Sequence, residues 1–418
     1  MSSTTLRWVG DDERDRVAET RMLCFAPARK ELKDYVDRIH KDTGTGAGDW
    51  LLAERDGQAI GTATSIAMTM WVRGGPVPCQ GVAHVGTIKT HRRKSGSSTS
   101  GTREPGVATL IMNETLRAAR ERGSVVSALM PFRGSFYEHF GYGFVERQAV
   151  WTLPMAVFPR IACDDIRFYR EADFDEIVRL KQRLTERGHG DIERPASLWR
   201  RYIDGADSGH VVVERCGEGP VRSVVFFEHA HNNHLDTVKV DEALYEDAAA
   251  LRRILGFLGS LRDQYSFATI LTPADLRLNW LLAETQLTHR QNRNHPTGEV
   301  RPFTRMQVRV LDHEKLIAAM RLPASGLAGK CVVAIKESEG HASRLMIELT
   351  DGKAVATKSD SSPDVEVTDR VWAAVIFGDL PATRAAEMGL LSVTNRTPLA
   401  VLDAFASAGP APFCREYF

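Results

Sequence analysis

Two short motifs near the start of the chain contain residue types that could do chemistry. The first, Arg103-Glu-Pro-Gly106-Val-Ala108, places a glycine at the beginning of an amphipathic run. A glycine there leaves the first backbone N–H groups of a helix free, and the helix dipole attracts anions to that end. The upstream residues His91-Arg92-Arg93 add positive charge. The pattern predicts a pyrophosphate site, although it also fits an ordinary helix start.

The second motif, Phe136-Tyr-Glu-His-Phe-Gly-Tyr-Gly143, holds two tyrosines close to glycines. Aromatic side chains in such a segment often serve only to anchor a loop by packing. A tyrosine hydroxyl, with a reference pKa of about 10, could also protonate the thiolate that leaves when an amine attacks a thioester. The motif alone leaves packing and proton donation open.

Hydrophobic patterning predicts the elements that position these motifs. Two strands at 50–55 and 59–70 are joined by an Asp-Gly turn, which is a strong hairpin signal, and another strand covers 80–89. An apolar face predicts a helix over 106–122, and a compact apolar strand follows at 124–130. The order is that of an α/β unit.

The length of 418 residues predicts two or three domains. From 151 to 298 the pattern repeats, and Glu214-Arg215-Cys216-Gly217 stands where Glu54-Arg55-Asp56-Gly57 stands in the first hairpin. From 299 onward strands precede helices, which favours a separate α+β domain. We therefore expect two α/β units, the second one divergent, followed by an α+β unit.

Composition excludes several classes of protein. Lys+Arg and Asp+Glu both number 54, so charge gives no reason to expect a nucleic acid or a membrane as partner. Six cysteines lie scattered without a Cys-x-x-Cys pair, which predicts reduced thiols and no structural zinc. The histidines of His229-Ala-His-Asn-Asn-His234 are interpreted as solvated side chains rather than metal ligands. No secretory signal or membrane span is recognisable, so we expect a cytoplasmic location.

The two motifs in this order resemble the GNAT family of N-acetyltransferases, and the full length resembles the bacterial Eis (enhanced intracellular survival) family. The matching stretches are Val85-Gly-Thr-Ile-Lys-Thr-His-Arg-Arg93, Gly106-Val-Ala-Thr-Leu-Ile-Met112 and the aromatic motif 136–143. The resemblance implies a GNAT domain at 1–150, a degenerate GNAT-like domain at 151–298 and a sterol-carrier-protein-like domain at 299–418. It also implies acetyl-CoA as cosubstrate and a hexamer.

The resemblance further implies a role for individual residues. Tyr137 would be the general acid, and the chain-terminal carboxylate of Phe418 would be the base. A free carboxylate of pKa about 3.5 is a weak base, so burial would have to raise its pKa or it would act through a water. The residues implied to bind the cosubstrate are Val85, Gly86 and Thr87 for pantetheine, and Arg92, Arg93, Gly106, Val107 and Ala108 for pyrophosphate.

One segment departs from the family pattern, because Lys94–Thr102 separates the arginines from the glycine that begins the helix. Three interpretations follow, in order of preference. The loop lies outside a site that is otherwise intact; Arg103 replaces one of the upstream arginines; or the loop blocks the site and the protein is inactive. In the last case the chain would act as a lipid-binding or assembly protein.

The acceptor is the least determined feature of the sequence. The resemblance implies a primary amine on an aminoglycoside, a polyamine or a lysine side chain. A polycationic acceptor needs an acidic pocket, and the sequence does not locate one. The candidate acceptor-binding residues are apolar, namely Phe25, Trp50 and Trp71, and each could equally be a core residue.

Overall fold

A computed structural model describes most of the chain. The described residues are 3–42, 44–92, 105–195, 198–199, 203, 209–215, 217–232, 235–287, 298–324 and 326–418. Arg93, Arg103 and the segment Lys94–Thr102 lie outside this part of the chain, so the three interpretations of that segment stay predictions.

The N-terminal unit builds a sheet with helices against it. Its strands are β1 (Thr5–Val9), β2 (Trp50–Arg55), β3 (Gln58–Val72), β4 (Gly75–Thr87), β5 (Val126–Leu129) and β6 (Gly143–Phe144). Its helices are α1 (Arg14–Phe25), α2 (Leu32–Lys41), α3 (Val107–Glu121) and α4 (Gly134–Tyr137). The predicted hairpin is β2–β3, where Asp56 and Gly57 both adopt positive φ, as a two-residue turn requires.

The second unit repeats this order of elements. Its strands are β7 (Arg147–Pro154), β8 (Ile166–Phe168), β9 (Asp191–Ile192), β10 (Gly209–Glu214), β11 (Ser223–Asn232), β12 (Leu235–Tyr245), β13 (Phe267–Pro273) and β14 (Glu299–Thr304). Its helices include α5 (Phe174–Arg187) and α6 (Ala248–Ser260). The sheet order is β14-β7-β13-β12-β11-β10-β8, whereas β9 pairs with β3 of the first sheet.

The third unit contains strands followed by helices, as the pattern predicts. Its strands are β16 (Gly329–Lys336), β17 (Ala342–Thr350), β18 (Lys353–Lys358), β19 (Val365–Thr368) and β20 (Leu391–Val393). Its helices are α8 (Asp369–Ile376), α9 (Ala382–Glu387) and α10 (Leu399–Ser407), and β15 (Gln307–Val310) and α7 (His313–Ala319) precede them. The sheet order is β18-β17-β16-β19-β20.

The boundary predicted at residue 299 differs from the structure. Strand β14 pairs with β7 in the second sheet, and β15 lies between β5 and β6 in the first sheet. The described strands of the third sheet begin only at Gly329. Alternation of apolar and polar residues identifies a strand but not its partner, because both edges of a strand offer the same backbone groups.

The first and third units share one hydrophobic core. Val77 and Val126 of the first sheet belong to the same buried cluster as Val333 and Phe405 of the third unit. Cys414, in the extended chain after α10, is also part of this cluster. The C-terminal residues are therefore held inside the molecule, and the expectation of an inserted arm at 413–418 agrees with this placement.

Candidate functional site

The central feature of the first sheet is a pair of parallel strands that separate. Strands β4 and β5 pair over three positions, Cys79 with Val126, Gln80 with Ser127 and Gly81 with Ala128. Beyond Gly81, β4 continues to Thr87 paired with β3 alone. Since β5 no longer covers this edge, backbone N–H and C=O groups between 82 and 87 become available to a ligand.

A cleft of about 680 Å³ opens at this separation. Residues from all three units line it, including Phe25, His84, Val85, Tyr137, Phe303 and Phe418. Gly86 allows the approach of α1, because a Cβ atom there would lie 2.7 Å from Cζ of Phe25. The structure thus brings together the predicted residues Phe25, Val85, Tyr137 and Phe418.

Tyr137, at the end of α4, is a buried residue whose side chain reaches the cleft. Its ring packs edge-on against Phe136, with ring centroids 4.9 Å apart, and against Phe132 at 6.0 Å. Burial raises the pKa of Tyr137 to about 12. The hydroxyl therefore keeps its proton at neutral pH and can donate it, or a hydrogen bond, as charge develops on a nearby sulfur.

The structure explains why the aromatic motif has glycine at positions 141 and 143. Gly141 ends the motif's helical turn at a φ of 79°, a left-handed conformation that glycine adopts without cost. Gly143 lies against the third unit, and a Cβ atom there would be 1.8 Å from the carbonyl oxygen of Arg370. Tyr142 is fully buried and its hydroxyl lies 2.6 Å from Oγ of Ser127. The motif thus docks the third unit while presenting Tyr137 to the cleft.

The end of the chain reaches the point where β4 and β5 separate. A Cβ atom on Gly81, the last residue of β4 paired with β5, would lie 3.1 Å from Cδ2 of Phe418. Phe418 is half-buried and packs against the core shared by the first and third units. The chain-terminal residue and Tyr137 therefore line the same cleft.

Buried ion pairs hold this arm. Both carboxylate oxygens of Glu416 accept from Nε of Arg194, at 3.1 and 3.0 Å, and Nζ of Lys181 lies 3.2 Å away. Arg194 also binds Glu242 on β12 at 2.9 Å. Arg415 donates to Asp191 through its backbone N–H and its guanidinium, both at 2.9 Å. The ion-pair partners Arg194, Lys181 and Asp191 all belong to the second unit, which therefore helps to fix where the chain ends.

The N-terminus of α3 is the predicted anion site. Gly106 is the N-cap residue, and no side chain of the described residues caps this end. Val107 and Ala108 begin the helix, so their N–H groups have no helical acceptor. Arg92 lies on the other side of the undescribed loop and donates to the backbone oxygens of Thr87 and Cys24, at 3.2 and 3.3 Å. Free N–H groups and the helix dipole suit a phosphate.

Two predicted acceptor residues lie elsewhere. Trp50 is completely buried in a separate small core, where its indole donates to Oγ1 of Thr45 at 3.1 Å. Trp71 donates to Oε1 of Glu193 at 2.7 Å and is not among the cleft-lining residues. The expectation was wrong for both, because residue type does not tell which face of a strand meets the cleft. Of the three candidates, Phe25 alone lines it.

Sequence reasoning missed His84, which lies where the pairing of β3 with β4 is irregular and has a φ of 53°. Its Nδ1 is 3.3 Å from Oγ1 of Thr64, which accepts from Nη2 of Arg21 at 2.7 Å. Surrounding protein and then the Arg21 charge lower the pKa of His84 to about 3, so the ring is neutral at neutral pH. A histidine inside an apolar strand was the available signal.

None of the described helices has the length and hydrophobicity that crossing a membrane requires. Within the described ranges, no group of three or more His, Cys, Asp or Glu side chains is arranged to hold a metal ion. The histidine segment 229–234 lies only partly within those ranges.

Comparison with known proteins identifies the two α/β units. Residues 5–145 and residues 190–310 each match the acetyltransferase (GNAT) domain family. An uncharacterized N-acetyltransferase from Streptomyces avermitilis is 24% identical over 388 residues, which are 87% of each chain. N-acetyltransferase Eis from Mycobacterium tuberculosis is 23% identical over 403 residues, which cover 88% of this chain and 90% of Eis.

The fold has a close counterpart among solved structures. The crystal structure of a GCN5-related N-acetyltransferase from Anabaena variabilis aligns over 100% of both chains with a TM-score of 0.81 and 17% identity. The domain matches confirm the expectation of tandem GNAT units, and GNAT acetyltransferases use acetyl-CoA. The chain is therefore an N-acetyltransferase that carries two GNAT domains, and it is similar over most of its length to Eis.

Proposed function

We propose that the first GNAT domain transfers the acetyl group of acetyl-CoA to a primary amine by direct attack. The observation that carries this proposal is the convergence of Tyr137, Phe418 and the open edge of β4 on one cleft. The pantetheine arm would lie along Val85, Gly86 and Thr87, and the pyrophosphate would bind at Gly106, Val107 and Ala108. Arg92, with Arg93 or Arg103 from the undescribed loop, would add positive charge.

The proposed reaction has two proton transfers, one from the attacking ammonium and one to the leaving sulfur. The chain-terminal carboxylate of Phe418 accepts a proton from the attacking ammonium, directly or through a water. The amine nitrogen then bonds to the thioester carbon, and the C–S bond breaks. Tyr137 donates to the departing sulfur, so the products are an N-acetyl amine and a CoA thiol. The phenol of Tyr137 is protonated at neutral pH, which this role requires.

The remaining expectations rest on resemblance to the Eis family. We propose a sterol-carrier-protein-like fold for the third unit, whose five-stranded sheet and three following helices are compatible with it. A hexamer is proposed on the same ground, and a cytoplasmic location is proposed from the scattered cysteines, which contain no Cys-x-x-Cys pair. Within this scheme the third unit has a direct part in catalysis, because it ends in the arm that carries Phe418.

A thiol-release assay with acetyl-CoA and primary amines tests the proposal. Extending the chain by Gly-Ser after Phe418 moves the free carboxylate, so kcat should fall at least about 100-fold, the low end of general-base effects. Tyr137→Phe should lower kcat roughly 10- to 100-fold, with acetyl-CoA affinity unchanged in both variants.

Matched controls separate chemistry from damage to the fold. The same Gly-Ser extension placed before the N-terminus, and Tyr35→Phe in a separate small cluster, should leave kcat within about twofold, since uncoupled surface changes are near neutral. Full activity of the C-terminally extended protein would contradict the assigned base, and full activity of Tyr137→Phe would contradict the assigned acid.

A further inference from the structure

The C-terminal arm, residues 413–418, is held less firmly towards its end. The Glu416 side chain lies in buried ion pairs with Arg194 and Lys181, whereas Tyr417 is 77% exposed. The described hydrogen bonds of the arm end at the backbone oxygen of Glu416, and Phe418 is held by apolar packing. The position of the terminal carboxylate therefore depends on what binds this oxygen and the ring that follows it.

Arg305 is the side chain from outside the arm that makes both contacts. Its Nη2 donates to the backbone oxygen of Glu416 at 3.3 Å, and its Nη1 donates to that of Cys414 at 3.4 Å. Its guanidinium lies 5.5 Å from the centroid of the Tyr417 ring, within the range of a cation–π contact. Only a planar group with several donors can bind two carbonyl oxygens and cover a ring at once.

The backbone of Arg305 is fixed on both sides by strand pairing. Thr304, the last residue of β14, pairs with Arg147 in the second sheet. Gln307, the first residue of β15, pairs with Leu129 in the first sheet. The half-buried Arg305 side chain thus approaches the arm from the point where the chain crosses from one sheet to the other.

Gln148 on β7 supports the same contact. This fully buried side chain donates through Nε2 to the backbone oxygen of Cys414 at 3.2 Å, and its Oε1 accepts from Nη1 of Arg305 at 3.5 Å. Among the described residues, none of the hydrogen bonds of Arg305 goes to a carboxylate. Its donors are directed at the arm and at the residue that holds the arm with it.

From these contacts we infer that Arg305 is a positioning residue for acetyl transfer, which fixes the end of the arm so that the terminal carboxylate of Phe418 faces the attacking amine. Arg305 acts through the arm rather than on the reacting atoms. A displacement of about 1 Å in a catalytic group can cost on the order of 100-fold in rate. The inference rests on the proposed acetyl transfer and adds to it a residue that the resemblance does not imply.

Steady-state kinetics of the full-length protein tests this role, with the fastest of n-butylamine, phenethylamine, spermidine and kanamycin as acceptor. Arg305→Met keeps the length of the side chain and removes its donors, so kcat should fall roughly 10- to 30-fold. The Kd of acetyl-CoA, measured by calorimetry, should stay within about twofold. Arg305→Lys keeps the charge but cannot bind both carbonyl oxygens, so its loss should be smaller.

Arg301→Met is the matched control, because Arg301 is an exposed arginine of β14 that bonds to Glu299 at 2.6 Å. Exposed ion pairs contribute little, so kcat should stay within about twofold. An equal loss of kcat in Arg301→Met and Arg305→Met would contradict a specific role of Arg305.

A double-mutant cycle separates positioning from general damage to the fold. In the chain extended by Gly-Ser after Phe418 the free carboxylate is already displaced, so Arg305→Met should lower kcat there by less than about twofold. A purely structural role would give the same factor in both backgrounds. Tyr417→Leu, which removes an exposed ring, should lower kcat roughly two- to fivefold in the original chain alone, and it decides the test if Arg305→Met folds poorly.

The possible failures are distinguishable. If both Arg305→Met and Tyr417→Leu keep full kcat, or lose the same factor in both backgrounds, the positioning role is wrong and the acetyl transfer stands. Full activity of the extended chain would overturn the terminal base, and with it the role of Arg305. If none of the four amines releases CoA thiol although acetyl-CoA binds, the proposed function itself fails.

Discussion

The two GNAT domains share a central arrangement of strands and differ in what occupies it. Strands β12 and β13 pair in parallel over three positions, from Thr237–Phe267 to Lys239–Thr269, just as β4 and β5 do. In both domains the first strand of the pair continues beyond its parallel partner, still paired with the strand on its other side. It then leads towards a helix, α3 or α6. The same backbone opening therefore exists twice, and side chains decide how each one is used.

The starts of the two helices show the clearest difference. Gly106 leaves the N-terminus of α3 without a side-chain cap from the described residues. Asp247 caps α6, and its Oδ1 accepts from the N–H of Ala250 at 2.9 Å. A carboxylate at this position occupies the N–H groups that would bind phosphate and repels its charge. We therefore propose that this aspartate makes the second domain unsuited to bind CoA.

The strand openings differ as well. In the first domain the opening leads into the cleft with Tyr137. In the second domain Glu242 lies on the part of β12 that extends beyond its pairing with β13. It is bonded to Arg194, which also holds Glu416 of the C-terminal arm. The second domain therefore supports the end of the chain through Arg194.

Removing the buried ion pairs that hold the C-terminal arm should have the largest effect on stability. Glu416→Gln removes the charge shared by Arg194 and Lys181, both almost completely buried, and leaves them with fewer partners. Loss of one partner in a buried pair typically costs about 3 kcal/mol, so the denaturant midpoint should fall, and kcat should fall with it. Urea unfolding and steady-state kinetics measure the two quantities.

A matched variant tests whether burial matters in that network. Glu246→Gln removes the partner of Arg183 and Arg187, in pairs that are only partly buried, at 3.0 and 3.4 Å. The unfolding free energy should change by less than about 1 kcal/mol, and kcat should not change. Equal effects of the two substitutions would show that the arm does not depend on the buried pairs.

Giving α3 an N-cap aspartate, as α6 has, should produce the next largest effect, a loss of acetyl-CoA affinity. Gly106→Asp fits sterically among the described residues, where the one atom close to a Cβ is Oγ1 of Thr109 at 4.0 Å. An N-cap aspartate stabilises a helix by about 1 kcal/mol, yet it should weaken acetyl-CoA binding roughly 100-fold by occupying the N–H groups. Calorimetry measures the affinity. The reciprocal Asp247→Gly should leave acetyl-CoA binding unchanged, and a loss there would contradict the comparison.

The smallest predicted effect is on the pH dependence of stability, and it comes from a buried carboxylate beside the C-terminal arm. Burial raises the pKa of Glu146 from its ordinary 4.5 to about 7, although Oε2 accepts from the N–H of Cys414 at 2.9 Å. A raised pKa favours the folded state below pH 4.5, and this contribution is lost as pH rises through 7. Between pH 5.5 and 8, Glu146→Gln should therefore gain about 1 to 2 kcal/mol relative to the unmodified protein.

Unfolding at the two pH values checks this prediction, and a stability difference independent of pH would contradict it. Glu121→Gln provides the control, because the Glu121 side chain is 61% exposed. Its substitution should shift the unfolding free energy by less than about 0.5 kcal/mol at either pH.

The sequence was most informative where the local structure depends only on residues close together in a short motif. Gly106 before an amphipathic helix and Tyr137 beside glycines could be identified because the spacing of a few residues decides the structure. Phe418 was singled out through the resemblance to the Eis family, which implies a catalytic role for the chain-terminal carboxylate. The described structure places Tyr137 and Phe418 on one cleft and Gly106 at the N-terminus of α3.

The remaining parts depend on contacts between distant segments. Trp50 looked like a cleft residue but is buried in a separate core, while the cleft residues Phe303 and Arg305 come from the end of the second GNAT domain, far along the chain. Strand β15 completes the first sheet from over 150 residues away. No local pattern specifies such pairing, since it is decided by which apolar faces meet in the folded chain. His84 was missed for the same reason.

The number of acetyl-CoA sites per chain tests the central claim most directly. Isothermal calorimetry of the unmodified protein with acetyl-CoA should give one site per chain, and that site should be lost or greatly weakened in Gly106→Asp. Two sites per chain would show that the Asp247 cap does not close the second domain. No binding at all would show that the first domain is closed too, and the proposed acetyl transfer would be contradicted.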